Sequence, residues 1–190
     1  IFFDPHGSGL MPVQLYQPLA DEFGILLIGN NNAANGMDFP LIATHFSTLL
    51  NEIKKDYQLN ETAIALWGFS GGAKAAMYNA GLNNAIHYCI YGGAVSETQN
   101  NNTAILGFNG RQDMNYTDLL EYAMQQQQNT HHFQIEYNNK HAWADTTTAK
   151  DAFRWLLFDK MRNKEIPTNK KIIRDAYNSY QKEVKKAFDG

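Results

Sequence analysis

Ser70 stands in Gly68-Phe69-Ser70-Gly71-Gly72, a G-x-S-x-G pattern entered from the apolar run Ala63 to Trp67 and left through the small residues Ala73 to Ala76. A buried strand, a sharp turn and a helix in that order are the context a nucleophile-elbow serine requires. The reason is steric: on so tight a turn the hydroxyl points outward only if its neighbours carry no Cβ to clash. Random placement of the 14 glycines and few serines of this 190-residue chain gives roughly 0.03 such patterns, so the motif is moderately specific. The same residues also fit a plain strand-to-helix turn whose serine caps the helix. Ser70 is the candidate nucleophile.

Two further groups with acid-base chemistry follow in turns after later strands. Asp113 lies in Asn109-Gly110-Arg111-Gln112-Asp113-Met114-Asn115-Tyr116, and His141 in Asn138-Asn139-Lys140-His141-Ala142-Trp143. Ahead of the elbow, Asp4-Pro5-His6-Gly7-Ser8-Gly9 breaks directly from a strand. It reads either as a backbone that turns N–H groups toward a ligand or as an ordinary Pro/Gly turn. The Asn-rich stretch 30–36, with Asn31, is either a wall facing substrate or a solvent loop.

The elements that must position these residues alternate. The sequence predicts strands at 1–3, 24–29 (continuous apolar residues, hence buried on both faces), 63–67, 85–91, 103–108 and 132–137, the last with one wetter face near a sheet edge. Helices are expected over 15–23, 41–57, 71–78, 118–128 and 146–162, with apolar residues recurring at three and four over 41–57 and on the core face of 146–162, and small residues over 71–78. His45 falls on such a stripe and His87 inside an apolar run, so both read as packed residues. Residues 97–102 read as a short surface loop, which implies an open site. Strand-helix alternation predicts an α/β fold with a mostly parallel sheet flanked by helices. The C-terminal ends of such strands share one edge, where Ser70, Asp113 and His141 can converge.

After Ile166-Pro167 a further amphipathic helix is expected over 169–188. Its apolar stripe is Ile173, Ala176, Tyr177, Tyr180, Val184 and Phe188, with Lys and Arg elsewhere. It packs on the domain with a solvated basic face, or it docks to another domain or chain. The domain division expected is 1–165 and a C-terminal helical extension, 166–190.

Composition removes other function classes. A net charge of −3 without a basic stripe argues against nucleic-acid binding. No apolar run of about eighteen residues is present to span a membrane. Cys89 is the only cysteine, which excludes an intrachain disulfide and a thiolate metal cluster and suits a small core residue. No H-E-x-x-H or comparable set occurs, so neither a metal nor another cofactor is expected. The chain opens at Ile1 inside a strand, which suggests missing upstream sequence, and the compartment, cytoplasmic or exported, is not readable.

The order Ser, Asp, His, with P-H-G-S-G upstream, G-F-S-G-G at the elbow, G-R-Q-D-M-N-Y and then K-H-A-W, resembles the α/β-hydrolase superfamily. Within it the chain is similar to compact esterases of the dienelactone-hydrolase and polyhydroxybutyrate-depolymerase-like kind, over about residues 1–162. The full pattern's earliest strands, and an inserted cap, are lacking. The resemblance implies Ser70 as nucleophile, His141 as general base and Asp113 as the acid that orients it. It further implies an oxyanion hole from Gly71 with Gly7 or Ser8, and a small-molecule or polymer-linked ester as substrate. Glu97 is the alternative acid. His131 and His132 are alternative bases, but they precede a strand and so sit at the wrong sheet edge. His6, Phe69, Asn31 and Trp143 are candidate pocket residues, with anchoring of its loop the favoured reading of Trp143. A peptidase or amidase with the same triad, and an inactive hydrolase-like binding module, are the alternative functions.

Overall fold

The protein is described by a computed structural model covering residues 1–59, 63–96, 103–128 and 131–189. In chain order the elements are β1 (Phe2–Phe3), α1 (Leu10–Phe23), β2 (Gly29–Asn30), α2 (Phe39–Asp56), β3 (Ala65–Phe69), α3 (Gly71–Leu82), β4 (Tyr88–Gly92), β5 (Ala104–Gly110), α4 (Tyr116–Gln125), β6 (His132–Tyr137), α5 (Thr146–Arg162) and α6 (Lys170–Asp189). The strands form one six-stranded sheet in the order β2-β1-β3-β4-β5-β6. Every neighbouring pair is parallel. Parallel neighbours need crossover connections, which is why helices alternate with strands along the chain.

Side-chain alternation divides the sheet's apolar residues between two layers. Phe2 packs with Tyr16 of α1 and with Trp67 of β3, and Trp67 stacks on Phe108 of β5. Phe3 and Leu66 point the other way, into a core with Phe46 and Leu50 of α2, Ala73, Ala76 and Met77 of α3, and Leu119 and Tyr122 of α4. The Ala-rich face of α3 lets that helix lie close to β1, β3 and β4, because a methyl group adds little height between helix axis and sheet.

Cys89 is fully buried on β4 and unpaired. Desolvation pushes its thiol up to about 12, so the thiolate is scarce near neutrality. The folded protein at pH 8 is therefore expected to be silent toward a disulfide-exchange reagent and to release one thiol equivalent only in guanidinium. A rapid stoichiometric reaction under native conditions contradicts this.

The apolar run at 24–29 departs from expectation. The strand is confined to Gly29–Asn30, with the Ile28 carbonyl accepting the Phe2 N–H at 2.8 Å just ahead of it, and Leu26 is 50% exposed. The strand lies at the sheet edge beside the two-residue β1, so it has one short neighbour to pair with. Helix α1 begins at Leu10, earlier than predicted. Pro12 falls in its first turn, where a missing N–H costs nothing.

The backbone divides into two compact units, Ile1–Ala149 and Lys150–Gly190. The first carries the sheet and helices α1 to α4. In the second, the Tyr180 hydroxyl donates to Asp151, and the Arg154 guanidinium lies 5.4 Å from the centre of the Tyr180 ring. On α6 only Ala176 of the expected stripe is buried, while Ile173, Tyr177, Val184 and Phe188 are exposed. No helix among the described residues is long and apolar enough to cross a membrane.

Candidate active site

The turn between β3 and α3 holds Ser70 at φ 53° and ψ −126°. A positive φ on a non-glycine residue costs on the order of 1–3 kcal/mol and persists only where its surroundings enforce it. Here the Ser70 N–H donates to the Gly92 carbonyl at 2.7 Å, and the Ser70 carbonyl accepts from Ala73 N–H at 2.9 Å. The two glycines that bracket the turn touch backbone. A Cβ on Gly68 would lie 2.2 Å from the Gly72 oxygen, and one on Gly72 would lie 2.0 Å from the Phe3 oxygen. Strand β1, strand β3 and the start of α3 thus meet at distances that only glycine allows.

Asp113 sits in the turn beyond β5. Its N–H donates to the Gly110 carbonyl, and its Oδ1 accepts the Asn115 N–H at 2.8 Å. Asn115 in turn donates its side-chain N–H to the Gly93 carbonyl at 2.7 Å, which ties this turn to the loop after β4. His141 lies in the loop after β6. Its Nδ1 is 2.9 and 3.0 Å from the two Asp113 carboxylate oxygens, and its Nε2 is 3.0 Å from Ser70 Oγ. An ionised carboxylate only accepts, so Nδ1 carries the proton and Nε2 is left to accept from the serine hydroxyl. The Asp113 side chain is 2% exposed, and the Phe69 ring flanks the imidazole at 4.8 Å between centres. The structure thus brings Ser70, Asp113 and His141 together in one hydrogen-bonded line at the C-terminal edge of the sheet.

Asp4 is a buried group that the sequence reading passed over. Its Oδ2 accepts the Trp143 indole N–H at 3.0 Å. Its Oδ1 accepts the His6 backbone N–H at 2.9 Å and lies 3.1 Å from His6 Nδ1. Trp143 stands two residues beyond His141, so this carboxylate ties the histidine's loop to the turn after β1. Trp143 is accordingly an anchor packed against Phe2 and Phe69. Replacing Trp143 with Phe retains most of the ring and removes the donor. The buried Asp4 oxygen then loses a partner, at an expected cost of about 1–3 kcal/mol, read as a lower urea midpoint with the slope unchanged.

A cavity of about 350 Å³ opens beside Ser70, lined among others by Asn35, Met37, Gly71, Lys74 and Asn115. Two candidate pocket residues, His6 and Asn31, and the oxyanion candidate Gly7 make contacts within or against the turn after β1. The His6 side chain is 86% exposed and engaged with Asp4. Asn31 accepts the Gly9 N–H at 2.9 Å through its Oδ1 and braces the turn after β1. Gly7 donates its N–H to the Asp4 carbonyl at 3.0 Å, closing that turn. Neither Gly7 nor Ser8 lines the cavity. His132 opens β6 opposite Ile105, at the far end of the strand from the Asp113 turn, with its Nε2 3.1 Å from the Tyr91 hydroxyl. Burial lowers its pKa. Glu97 and the loop 97–102 lie outside the described residues. His45 and His87 each keep a buried Nδ1 without a hydrogen-bond partner among the described residues. Among the described residues no three His, Cys, Asp or Glu side chains are grouped to hold a metal ion.

A parallel sheet flanked by helices, with these turns along one edge, is the α/β-hydrolase fold. Solved structures with this fold include an S-formylglutathione hydrolase from Staphylococcus aureus, with a TM-score of 0.64 at 15% identity over 82% of this chain and 79% of that one. They also include esterase PE8, with 0.61 at 16% identity over 82% and 90%, and a carboxylesterase from Mesorhizobium loti, with 0.60 at 14% identity over 82% and 86%. No protein-family model matches the chain, and no curated protein sequence matches it. At such identities the likeness establishes the fold.

Proposed function

We propose that this chain is a serine hydrolase that cleaves carboxylic esters through an acyl-enzyme on Ser70. The observation that carries the reading is the unbroken line Ser70 Oγ, His141 Nε2, His141 Nδ1, Asp113, with every step between 2.9 and 3.0 Å. A serine hydroxyl is a weak nucleophile near neutrality. As Oγ attacks the ester carbonyl carbon, His141 Nε2 takes its proton, and the buried Asp113 stabilises the imidazolium. The carbonyl oxygen becomes an oxyanion beside the Gly71 N–H at the start of α3, where a well-placed donor is worth about 3 kcal/mol of barrier. Collapse breaks the bond to the alcohol oxygen, which leaves with the proton from His141. Water, deprotonated by the same imidazole, then releases the acid and restores Ser70.

The esterase and hydrolase neighbours support hydrolysis as the reaction class, and the substrate is a small-molecule or polymer-linked ester. The test is to treat the purified protein with a fluorophosphonate probe, map the adduct by peptide mass spectrometry, and compare p-nitrophenyl esters of graded acyl length with p-nitroanilides. One adduct on Ser70 with turnover of the esters is expected. A folded protein that takes no label and turns over no ester is instead an inactive module, and faster anilide cleavage makes it an amidase.

A further inference from the structure

The cavity at Ser70 contains a side chain that the mechanism above leaves idle. Asn35 lies in the loop between β2 and α2, and its backbone N–H donates to the Pro5 carbonyl at 2.8 Å. That bond fixes the loop against the turn after β1 without help from the side chain. The carboxamide reaches over Gly71: a Cβ built there would lie 1.6 Å from Asn35 Oδ1 and 2.7 Å from its Cγ. Standard geometry then puts the nearer end of the carboxamide within about 4 Å of the Gly71 amide nitrogen. Among the described residues the Asn35 side chain has no hydrogen-bond partner, although both ends of an amide seek one. The turn after β1, expected to offer a donor from Gly7 or Ser8, has its Gly7 N–H committed to the Asp4 carbonyl, and neither residue lines the cavity.

We propose that the Asn35 carboxamide donates a hydrogen bond to the substrate's carbonyl oxygen, acting with the Gly71 N–H as the oxyanion-binding pair; this rests on the assignment of Ser70 as the nucleophile. The amide's nitrogen end is 3.3 Å from the same built point at which the oxygen end is 1.6 Å. A half turn about the Cβ–Cγ bond exchanges the ends and leaves the backbone in place. The N–H groups that open α3 favour the oxygen end, whereas an oxygen gaining negative charge at that corner favours the nitrogen end. Gly71 is then required for a second reason besides the turn, since any side chain there would occupy the place of the carboxamide.

The test compares wild type, Asn35→Ala and the near-isosteric Asn35→Asp on p-nitrophenyl butyrate, alongside inhibition by a trifluoromethyl ketone that adds to the serine as an oxyanion. Asn35 is exposed and its loop is held by backbone bonds, so thermal unfolding is expected to be unchanged. Both variants are expected to lose about a hundred- to thousand-fold in kcat, with KM within about threefold, and ketone affinity is expected to fall in step with kcat/KM. Turnover within threefold of wild type, or a loss confined to KM, overturns the role of Asn35 while leaving Ser70 in place. A wild-type protein inert to probe and ester overturns both.

Discussion

Ser70→Ala is expected to abolish probe labelling and to lower ester kcat by about four to six orders of magnitude, with the fold intact. The size follows from the chemistry: without Oγ there is no covalent intermediate, and what remains is binding together with whatever the oxyanion donors stabilise for direct attack by water. Because Ser70 sits at φ 53°, alanine there inherits the backbone strain. It also loses the hydrogen bond from the hydroxyl to His141. Stability is therefore expected to shift by no more than about 1 kcal/mol in the urea midpoint. The two readouts separate the roles, since a serine that only caps the helix would change stability and leave turnover alone. Retention of ester turnover within tenfold ends the assignment.

Gly72→Ala is the second large effect, and it acts on the fold. The added methyl group would sit 2.0 Å from the Phe3 oxygen and 2.6 Å from the Phe3 carbonyl carbon, with Asp4 backbone 3.2 Å away. These are main-chain atoms of a strand paired on both sides, Phe3 with Asn30 and with Gly68. Relief requires β1 to move away from α3 or the helix to lift off the sheet. Either motion opens the core at Phe3, so a loss of at least about 3 kcal/mol is expected, more than most single substitutions cause. Equilibrium urea unfolding followed by far-UV circular dichroism measures it. A variant as stable as the parent shows that the close approach of β1 and α3 is not required.

What the sequence made legible was governed by local rules. A strand-turn-helix around Ser70 needs glycines within two residues of it, and those can be counted along the chain. The placement of Asp113 and His141 in turns after later strands follows from alternation. Contacts between residues far apart in sequence have no such signature. Asp4 meets Trp143 across 139 positions, and nothing in D-P-H-G announces that its carboxylate is buried. Asn35 was hidden among several similar asparagines. Only the fold separates it, over Gly71, from Asn31, which braces a turn. The apolar run 24–29 misled because hydrophobicity reports the wish to be buried, whereas an edge beside a two-residue strand limits how much can be. The α6 stripe gave the right helix, but periodicity does not say which face finds a partner, and Ile173, Tyr177 and Phe188 are exposed.

The hydrogen bond between Asp4 and Trp143 also gives the molecule a built-in optical reporter. Of the 3 tryptophans, Trp143 alone is two residues from His141, and its indole lies in an aromatic cluster with Phe2, Tyr16 and Phe69. A buried, hydrogen-bonded indole emits at shorter wavelength than a hydrated one. The Trp67 ring lies 6.4 Å from that of Trp143, so the emission of Trp143→Phe subtracted from that of the parent reports this coupled indole pair beside the histidine's loop. Movement of that loop during acylation can then be followed in stopped-flow without attaching a dye.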